Sequence, residues 1–93
     1  MSELLDEDEI DALLRDRPGW EREGSAIAKT FDRGDFAGSI EFAQQLAAPA
    51  EAMNHHPDLS ISWSQVRVSL STHSAGGLTA RDFELARRID QIA

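Results

Sequence analysis

The sequence predicts an α+β fold in which helices pack on one face of a four-stranded antiparallel sheet, as a single domain over residues 1–93. Two pairs of short segments alternate between apolar and polar residues and are joined by turn residues, which is typical of β-hairpins. Three other segments carry apolar residues at helical spacing. The predicted order of elements is therefore α-β-β-α-β-β-α.

Local signals predict the first helix and the first hairpin. Asp6 has capping-box spacing to Glu9, and the acids of this first turn lie where the helix dipole favours negative charge. A Pro-Gly pair then ends the helix. Residues 20–31 are predicted to form a hairpin, because Gly24 and Ser25 mark a turn before an alternating segment.

Residues 36–54 have the apolar period of a long helix that packs across a sheet. The predicted inward face consists of Phe36, Ile40, Phe42, Ala43, Leu46, Ala47, Ala50 and Met53. Pro49 interrupts this pattern, since proline lacks the amide hydrogen that an interior helical position donates. We therefore expect a kink or a division of the helix near Pro49.

The second hairpin shows the clearest alternation in the chain. The inward face of its first strand is predicted to carry Leu59, Ile61 and Trp63. A two-residue turn is expected at Ser64 and Gln65. The second strand alternates up to His73, which we expect at the end of the strand on the face away from the core.

Composition excludes several classes of function. The chain contains no cysteine, so disulfides, zinc fingers and thiol catalysis are excluded. The formal net charge of −8 disfavours binding to nucleic acids and to anionic membranes, whereas a neutral small molecule is compatible with it. The apolar runs are too short to span a bilayer, and the first residues lack the basic and apolar regions of a signal peptide. We therefore expect a cytoplasmic protein.

All three histidines lie within 19 consecutive positions, as His55, His56 and His73. Glu51 lies four residues before His55 at a predicted helix end, so we expect its carboxylate to orient or stabilise that imidazole. Imidazole titrates near pH 6.5, so one ring can donate a proton while another accepts one. Such a cluster suits the elimination of water, in which a hydroxyl gains a proton and a neighbouring N–H loses one.

Each of these residues also has a simpler interpretation. A single histidine can be a surface residue or can stabilise a helix C-terminus, and three imidazoles together can bind zinc. Asp82 occupies the capping-box position after Thr79 at the start of the last predicted helix, which is reason enough for a carboxylate there. Trp63 has the spacing of a core aromatic residue.

The combination of motifs resembles one known family. Its pieces are Glu51-x-x-x-His55-His56-Pro57, Trp63, Ser71-Thr72-His73, Gly77-Leu78-Thr79 and Asp82-Phe83, preceded by Pro18-Gly19-Trp20, Phe31 and Asp35-Phe36. Together they resemble the pterin-4a-carbinolamine dehydratases over nearly the whole chain, from about Leu5 to Ile92. The pattern ExxxHHP followed by STH and GLT is much more specific than any of its parts.

The resemblance implies a reaction and a site. The reaction is the dehydration of 4a-hydroxytetrahydropterin to quinonoid dihydropterin, which recycles tetrahydrobiopterin and needs no metal or prosthetic group. The implied catalytic residues are His55, His56 and His73. We assign His55 and His73 to proton transfer and His56 to binding the ring, where it could also act as the base. Glu51 is implied as support, Asp82 as a partner that orients His73, and Trp63 as a wall of the cleft.

The resemblance also implies a homodimer or homotetramer that assembles through the sheet and a helix. A non-catalytic protein-interaction module on the same fold is the alternative function. The acidic surface and the exposed face of the predicted sheet motivate it. In animals the same fold also binds a transcription factor, a role that nothing in this sequence supports.

Overall fold

The computed structural model describes residues 3–93. The helices are α1 (Glu7–Arg15), α2 (Phe36–Gln45), α3 (Ala47–Met53) and α4 (Ala80–Ile92). The strands are β1 (Glu21–Glu23), β2 (Ala26–Asp32), β3 (Asp58–Ser62) and β4 (Gln65–Leu70), and a one-turn 3-10 helix spans His73–Ala75. The predicted fold class and order are confirmed, except that two helices replace the long second helix.

The four strands form one antiparallel sheet in the order β1-β2-β4-β3. The longest pairing joins β2 to β4, from Ile27 opposite Leu70 to Asp32 opposite Gln65. Strand β3 lies at one edge and pairs with β4 from Asp58 opposite Ser69 to Ser62 opposite Gln65. Strand β1 lies at the other edge.

The core lies between the sheet and the helices. Its fully buried side chains come from both layers and include Ile27, Val66, Val68, Leu70, Phe42, Leu46, Leu85 and Ile89. The ring of Phe31 contacts the rings of Trp20 and Phe42, with centroids 6.1 Å and 4.9 Å apart. Within residues 3–93, no helix is apolar and long enough to cross a bilayer.

Lys29 occupies a core-facing position of β2, and Asp90 of α4 accommodates its charge. Its Nζ lies 3.0 Å from a carboxylate oxygen of Asp90. The same carboxylate accepts hydrogen bonds from Trp20 Nε1 at 3.1 Å and from an Arg17 guanidinium nitrogen at 3.1 Å. The charge of the half-buried Lys29 side chain is therefore paired.

The predicted effect of Pro49 is confirmed. Helix α2 ends at Gln45, and α3 begins at Ala47, so Pro49 lies in the first turn of a new helix. A first-turn position is tolerated by proline, because its missing amide hydrogen would have had no partner within the helix.

The predicted inward face of the long helix is only partly correct. Phe42, Leu46 and Ala50 are buried, but Phe36 and Ile40 are 55% and 38% exposed. Helix α2 contacts β4 and the edge strand β3. With no strand beyond β3 in the described chain, one flank of α2 has no layer to cover it.

The second hairpin also differs from the prediction. Ser62 pairs with Gln65, so the turn consists of Trp63 and Ser64, one residue earlier than expected. Leu59 and Ile61 do lie opposite the buried Val68 and Val66, but both remain partly exposed because β3 is an edge strand. Trp63 is in the turn rather than the strand, and 71% of it is exposed.

Replacing Gly38 with alanine is expected to destabilise the protein, whereas Gly→Ala within a helix normally stabilises it. A Cβ at this position of α2 would lie 2.3 Å from the backbone oxygen of Arg33. Gly→Ala in a helix normally stabilises by up to about 1 kcal/mol, but this contact requires the backbone to move. We expect Gly38→Ala to lower the free energy of unfolding by about 2 kcal/mol, measured by urea denaturation. A higher urea midpoint for Gly38→Ala than for the wild-type protein would contradict the close approach of this position to the Arg33 carbonyl.

Candidate active site

All three histidines lie at one end of the β3–β4 hairpin. His55 and His56 come between α3 and the first residue of β3, and His73 follows the end of β4. Because Asp58 pairs with Ser69, the start of β3 and the end of β4 are neighbours in the sheet. The fold therefore brings residues that are far apart in the sequence to one region.

A left-handed residue directs the first two histidines. Asn54 ends α3 with φ 49° and ψ 46°, a conformation that asparagine tolerates better than most residues. Its amide donates to the Glu51 carbonyl at 3.1 Å, and the His55 amide donates to the Ala50 carbonyl at 2.9 Å. These two hydrogen bonds form a Schellman motif, which stops the helix and turns the chain sharply at His55.

His55 and Asp82 form a buried pair. The Nε2 atom of His55 lies 2.6 Å from Oδ1 of Asp82, and the two residues are 7% and 0% exposed. The other carboxylate oxygen accepts hydrogen bonds from the Thr72 hydroxyl at 2.8 Å and from the Thr79 amide at 2.9 Å. Asp82 thus has three hydrogen-bonding partners around its two oxygens, and with this carboxylate as the acceptor Nε2 of His55 is the donor. The free Nδ1 is the nitrogen that can exchange a proton.

Two threonine hydroxyls complete this network. The Thr72 and Thr79 hydroxyl oxygens are 2.8 Å apart, and both residues are buried. Since Thr72 donates to Asp82, its oxygen accepts from the Thr79 hydroxyl. The capping box predicted for Thr79 and Asp82 is confirmed, and the same carboxylate also contacts His55. Asp82 therefore both caps helix α4 and holds the imidazole of His55.

The predicted pairing of acids and histidines is wrong in both cases. Asp82 contacts His55 instead of His73, and Glu51 contacts the Nε2 atom of His56 instead of His55. The prediction assumed that helical geometry continues to His55. The left-handed Asn54 breaks that geometry, so His55 turns into the interior and exposed His56 lies over the helix end.

His56 lines a small apolar pocket between the helices and the edge strand. The pocket has a volume of about 190 Å³ and is lined by Ala43, Leu46, Ala47, Ala50, His56, Pro57 and Leu59. A larger pocket of about 370 Å³ lies between α1 and α4, but no histidine lines it. The pocket beside His56 is therefore the better candidate for binding a ligand near the histidines.

His73 does not lie in a strand. Strand β4 ends at Leu70, and exposed His73 opens the 3-10 helix that follows. Its neighbour Thr72 binds Asp82, so the backbone at His73 is connected to the His55–Asp82 pair through one hydroxyl. Among residues 3–93, no group of three or more histidine, aspartate or glutamate side chains is arranged to hold a metal ion.

Trp63 lies apart from the histidines within this chain. It occupies the turn at one end of the β3–β4 hairpin, whereas the histidines lie at the other end. The whole of β3 lies between Trp63 and His56, and this five-residue strand alone spans roughly 16 Å. A role for Trp63 in the histidine site of its own chain would therefore require a ligand that extends along the whole of β3.

Comparison with protein families gives one match over almost the whole chain. The family model described as "Pterin 4 alpha carbinolamine dehydratase" matches residues 3–92. The chain belongs to this family. The suspected resemblance is thus confirmed, and the family implies a small-molecule pterin ligand for the dehydratase fold.

Individual relatives agree with this assignment. A protein of Roseiflexus castenholzii, named "Putative pterin-4-alpha-carbinolamine dehydratase", is 50% identical over 92 residues, covering 99% of both chains. A crystal structure of a transcriptional coactivator/pterin dehydratase from Brucella melitensis is 36% identical, with a TM-score of 0.90 over 96% of this chain and 97% of that one. A pterin dehydratase-like RuBisCO assembly factor shares the fold, with 24% identity and a TM-score of 0.63 over 80% and 86%.

Arg81 fastens the histidine-bearing turn of this dehydratase-family chain to α4. Its guanidinium donates to the carbonyls of Met53 and Asn54 at 2.7 and 3.1 Å, which are groups that the end of α3 leaves unpaired. We expect Arg81→Ala to lower the free energy of unfolding by about 1–2 kcal/mol in urea denaturation. Arg87→Ala is the control, since this exposed residue pairs with Glu84 and the substitution should cost under about 0.5 kcal/mol. Equal losses of stability in Arg81→Ala and Arg87→Ala proteins would contradict a stabilising role for the Arg81 hydrogen bonds to the end of α3.

Proposed function

We propose that the chain is a 4a-hydroxytetrahydropterin dehydratase that uses histidine as general acid and base. The observation that carries this proposal is the buried pair of His55 and Asp82, which leaves one defined nitrogen of His55 free. Membership of the dehydratase family supports the substrate class. The product would be quinonoid dihydropterin, which connects the reaction to the recycling of tetrahydrobiopterin.

The proposed reaction consists of two proton transfers and one bond cleavage. The substrate hydroxyl is on C4a, next to N5 of the ring. One imidazolium protonates this hydroxyl, so that the C4a–O bond breaks and water leaves. A neutral imidazole takes the N5 proton, and the N5 electron pair forms the C4a=N5 double bond. No electrons are exchanged with another molecule, so the proposed reaction needs no redox cofactor, and the proton from the imidazolium is what makes the hydroxyl a leaving group.

The three histidines have different environments, which suggests different roles. His55 is buried and held by Asp82, so its Nδ1 is pre-oriented for proton transfer. We assign His73 as its counterpart, because Thr72 ties its backbone to the same carboxylate. His56 is exposed, contacts Glu51 and lines the apolar pocket, which suits binding of the pterin ring.

Assembly into a homodimer or a homotetramer is part of the proposal. Strand β3 is an exposed edge on which Leu59 and Ile61 are partly exposed, and Phe36 and Ile40 of the adjoining helix α2 are partly exposed as well. Such a strand and helix flank can be buried by a second copy. We propose a cytoplasmic protein whose other partner is the pterin alone, without nucleic acid or membrane. Sedimentation equilibrium over a range of concentrations would measure the assembly.

The function is tested by assaying the purified protein on 4a-hydroxytetrahydropterin generated in situ by an aromatic amino acid hydroxylase. The expected result is faster formation of quinonoid dihydropterin than in the spontaneous reaction, in proportion to protein concentration. A rate equal to the spontaneous rate at every protein concentration would remove the proposal.

A second candidate function is a protein-interaction module. The exposed apolar side chains of α2, β3 and the following turn favour it, and the relative from Brucella melitensis is described as a transcriptional coactivator as well as a pterin dehydratase. An interaction module would bind its protein partner with all three histidines replaced and would show no affinity for pterin by calorimetry. Pterin affinity that disappears in the triple variant would instead favour the dehydratase.

A further inference from the structure

The two edges of the sheet are protected to different degrees. Strand β1 is three residues long and consists of Glu21, Arg22 and Glu23, so charges guard that edge. Strand β3 is five residues long, all five are exposed, and only Asp58 at its start is charged. An exposed edge without lysine, proline or a bulge is a template for another strand. In a chain with a net charge of −8, this nearly uncharged edge repels a second copy least.

The sequence of β3 matches itself in one antiparallel register. Pairing centred on Ser60 joins all five residues, with Leu59 opposite Ile61 and Asp58 opposite Ser62 of the second copy. This register keeps the apolar residues of both strands on the helix-covered side, whereas a slip by one residue would reverse the faces. It also keeps the two copies of Asp58 apart.

Extending this register by one position places a tryptophan next to the candidate pocket. Trp63 is the turn residue that directly follows Ser62, so in the second copy it lies just beyond the paired strand and beside Pro57 of the first copy, which follows His56 and lines the apolar pocket. We propose that the partner's Trp63 closes this pocket and offers its indole face to the bound pterin ring. The pterin site is then built from two chains, and this inference rests on the proposed function and on the proposed assembly through β3.

The conformation of Trp63 is consistent with an indole side chain that projects outward to contact a partner or a ligand. It has φ 51°, a left-handed conformation that is unusual for a bulky residue, and its side chain is 71% exposed. The turn is held in place, since the Ser39 hydroxyl donates to the Trp63 carbonyl at 2.6 Å and the Arg33 amide donates to the Ser64 carbonyl at 2.7 Å. A strained residue that projects a large apolar group outward often serves a ligand or a partner.

The first test is complementation between two inactive or weakened variants. Trp63→Ala should raise KM about tenfold with little change in kcat, because its histidines remain intact. Mixing it with His56→Ala protein gives mixed dimers, in which one site has His56 from one chain and Trp63 from the other. After random exchange of subunits, about half of the dimers are mixed and each has one intact site, so about a quarter of all sites are intact. These sites should appear as a second, low-KM phase in the dependence of rate on substrate concentration. Activity equal to the average of the two parents would overturn the proposal.

The second test does not depend on activity. In Trp20→Phe protein, Trp63 is the only fluorophore, since the chain has two tryptophans and no tyrosine. We expect acrylamide to quench it several-fold less in the assembled protein than after dilution to monomer, and a bound pterin to quench it further. Full acrylamide access in the assembly would contradict the position of Trp63 even if dehydration is observed. Protected Trp63 without dehydration would remove the proposed function instead.

Discussion

Replacing His55 with alanine is expected to slow pterin dehydration about a hundredfold, which is the lower part of the range for a positioned general acid or base. The imidazole of His55 is buried and its Nε2 atom is fixed by Asp82, so its Nδ1 has a defined position that an alanine side chain leaves empty. The change should appear in kcat, measured with substrate generated in situ, because proton transfer belongs to the chemical step.

His55→Gln separates the chemistry from the fold. The glutamine amide can still donate to the Asp82 carboxylate, so the buried hydrogen bond is kept while the titratable ring is lost. We expect this variant to keep most of its stability in urea denaturation and to lose as much turnover as His55→Ala. A His55→Gln protein that turns over at the wild-type rate would show that His55 has no part in proton transfer.

Asp82→Asn is expected to lower the free energy of unfolding by about 3 kcal/mol and turnover at least tenfold. The carboxylate accepts hydrogen bonds from His55, Thr72 and Thr79 in a fully buried position. An amide has one donor end, which must face at least one of these donors. If it faces His55, the ring is forced into the other tautomer, which places the hydrogen on Nδ1 and blocks it as a base.

Glu84→Gln is the matched control, because it removes a carboxylate from the same helix. Arg87 and Arg88 donate to Glu84 and lower its pKa to about 2, so this side chain is charged throughout any practical assay range. Its side chain is partly exposed and outside the His55–Asp82 network, so we expect turnover to be unchanged and stability to change little. An Asp82→Asn protein as stable and active as Glu84→Gln protein would contradict the role of the buried network. Measuring both variants by urea denaturation and by initial rates covers both effects.

Features set by neighbouring residues were predictable from the sequence. The caps of α1 and α4 depend on side chains three positions apart, and both capping boxes are present in the structure. The division of the long helix follows from the backbone chemistry of Pro49. The candidate histidines were also identifiable, because they are the only ones in the chain.

The contacts of the site were not predictable in the same way. One left-handed residue, Asn54, decides which histidine faces Glu51 and which faces Asp82, and a helical wheel does not contain that information. The hydroxyls of Thr72 and Thr79 were missed as partners of Asp82, although both occur in the STH and GLT motifs that prompted the resemblance. The STH and GLT motifs therefore identified the segments that form the site, but they did not show that the threonine hydroxyls hydrogen-bond to each other and to Asp82.

The exposure of the second hairpin depends on strand order, which local alternation does not determine. Leu59 and Ile61 alternate like core residues, yet β3 is placed at the edge by the order β1-β2-β4-β3. An alternating apolar strand at an edge has the same sequence pattern as one in the middle of a sheet. Its exposed side chains become understandable if a second copy covers them, as proposed above.

The central claim is that His55, His56 and His73 serve one pterin site, and the most direct test is a crystal structure of the assembled protein with a reduced pterin analogue. We predict that the ring occupies the pocket beside His56, with its C4a–N5 edge within hydrogen-bonding distance of the His55 Nδ1 atom and the His73 ring. A pterin bound elsewhere, or an occupied pocket from which the His73 ring stays beyond reach of the ligand, would contradict the mechanism.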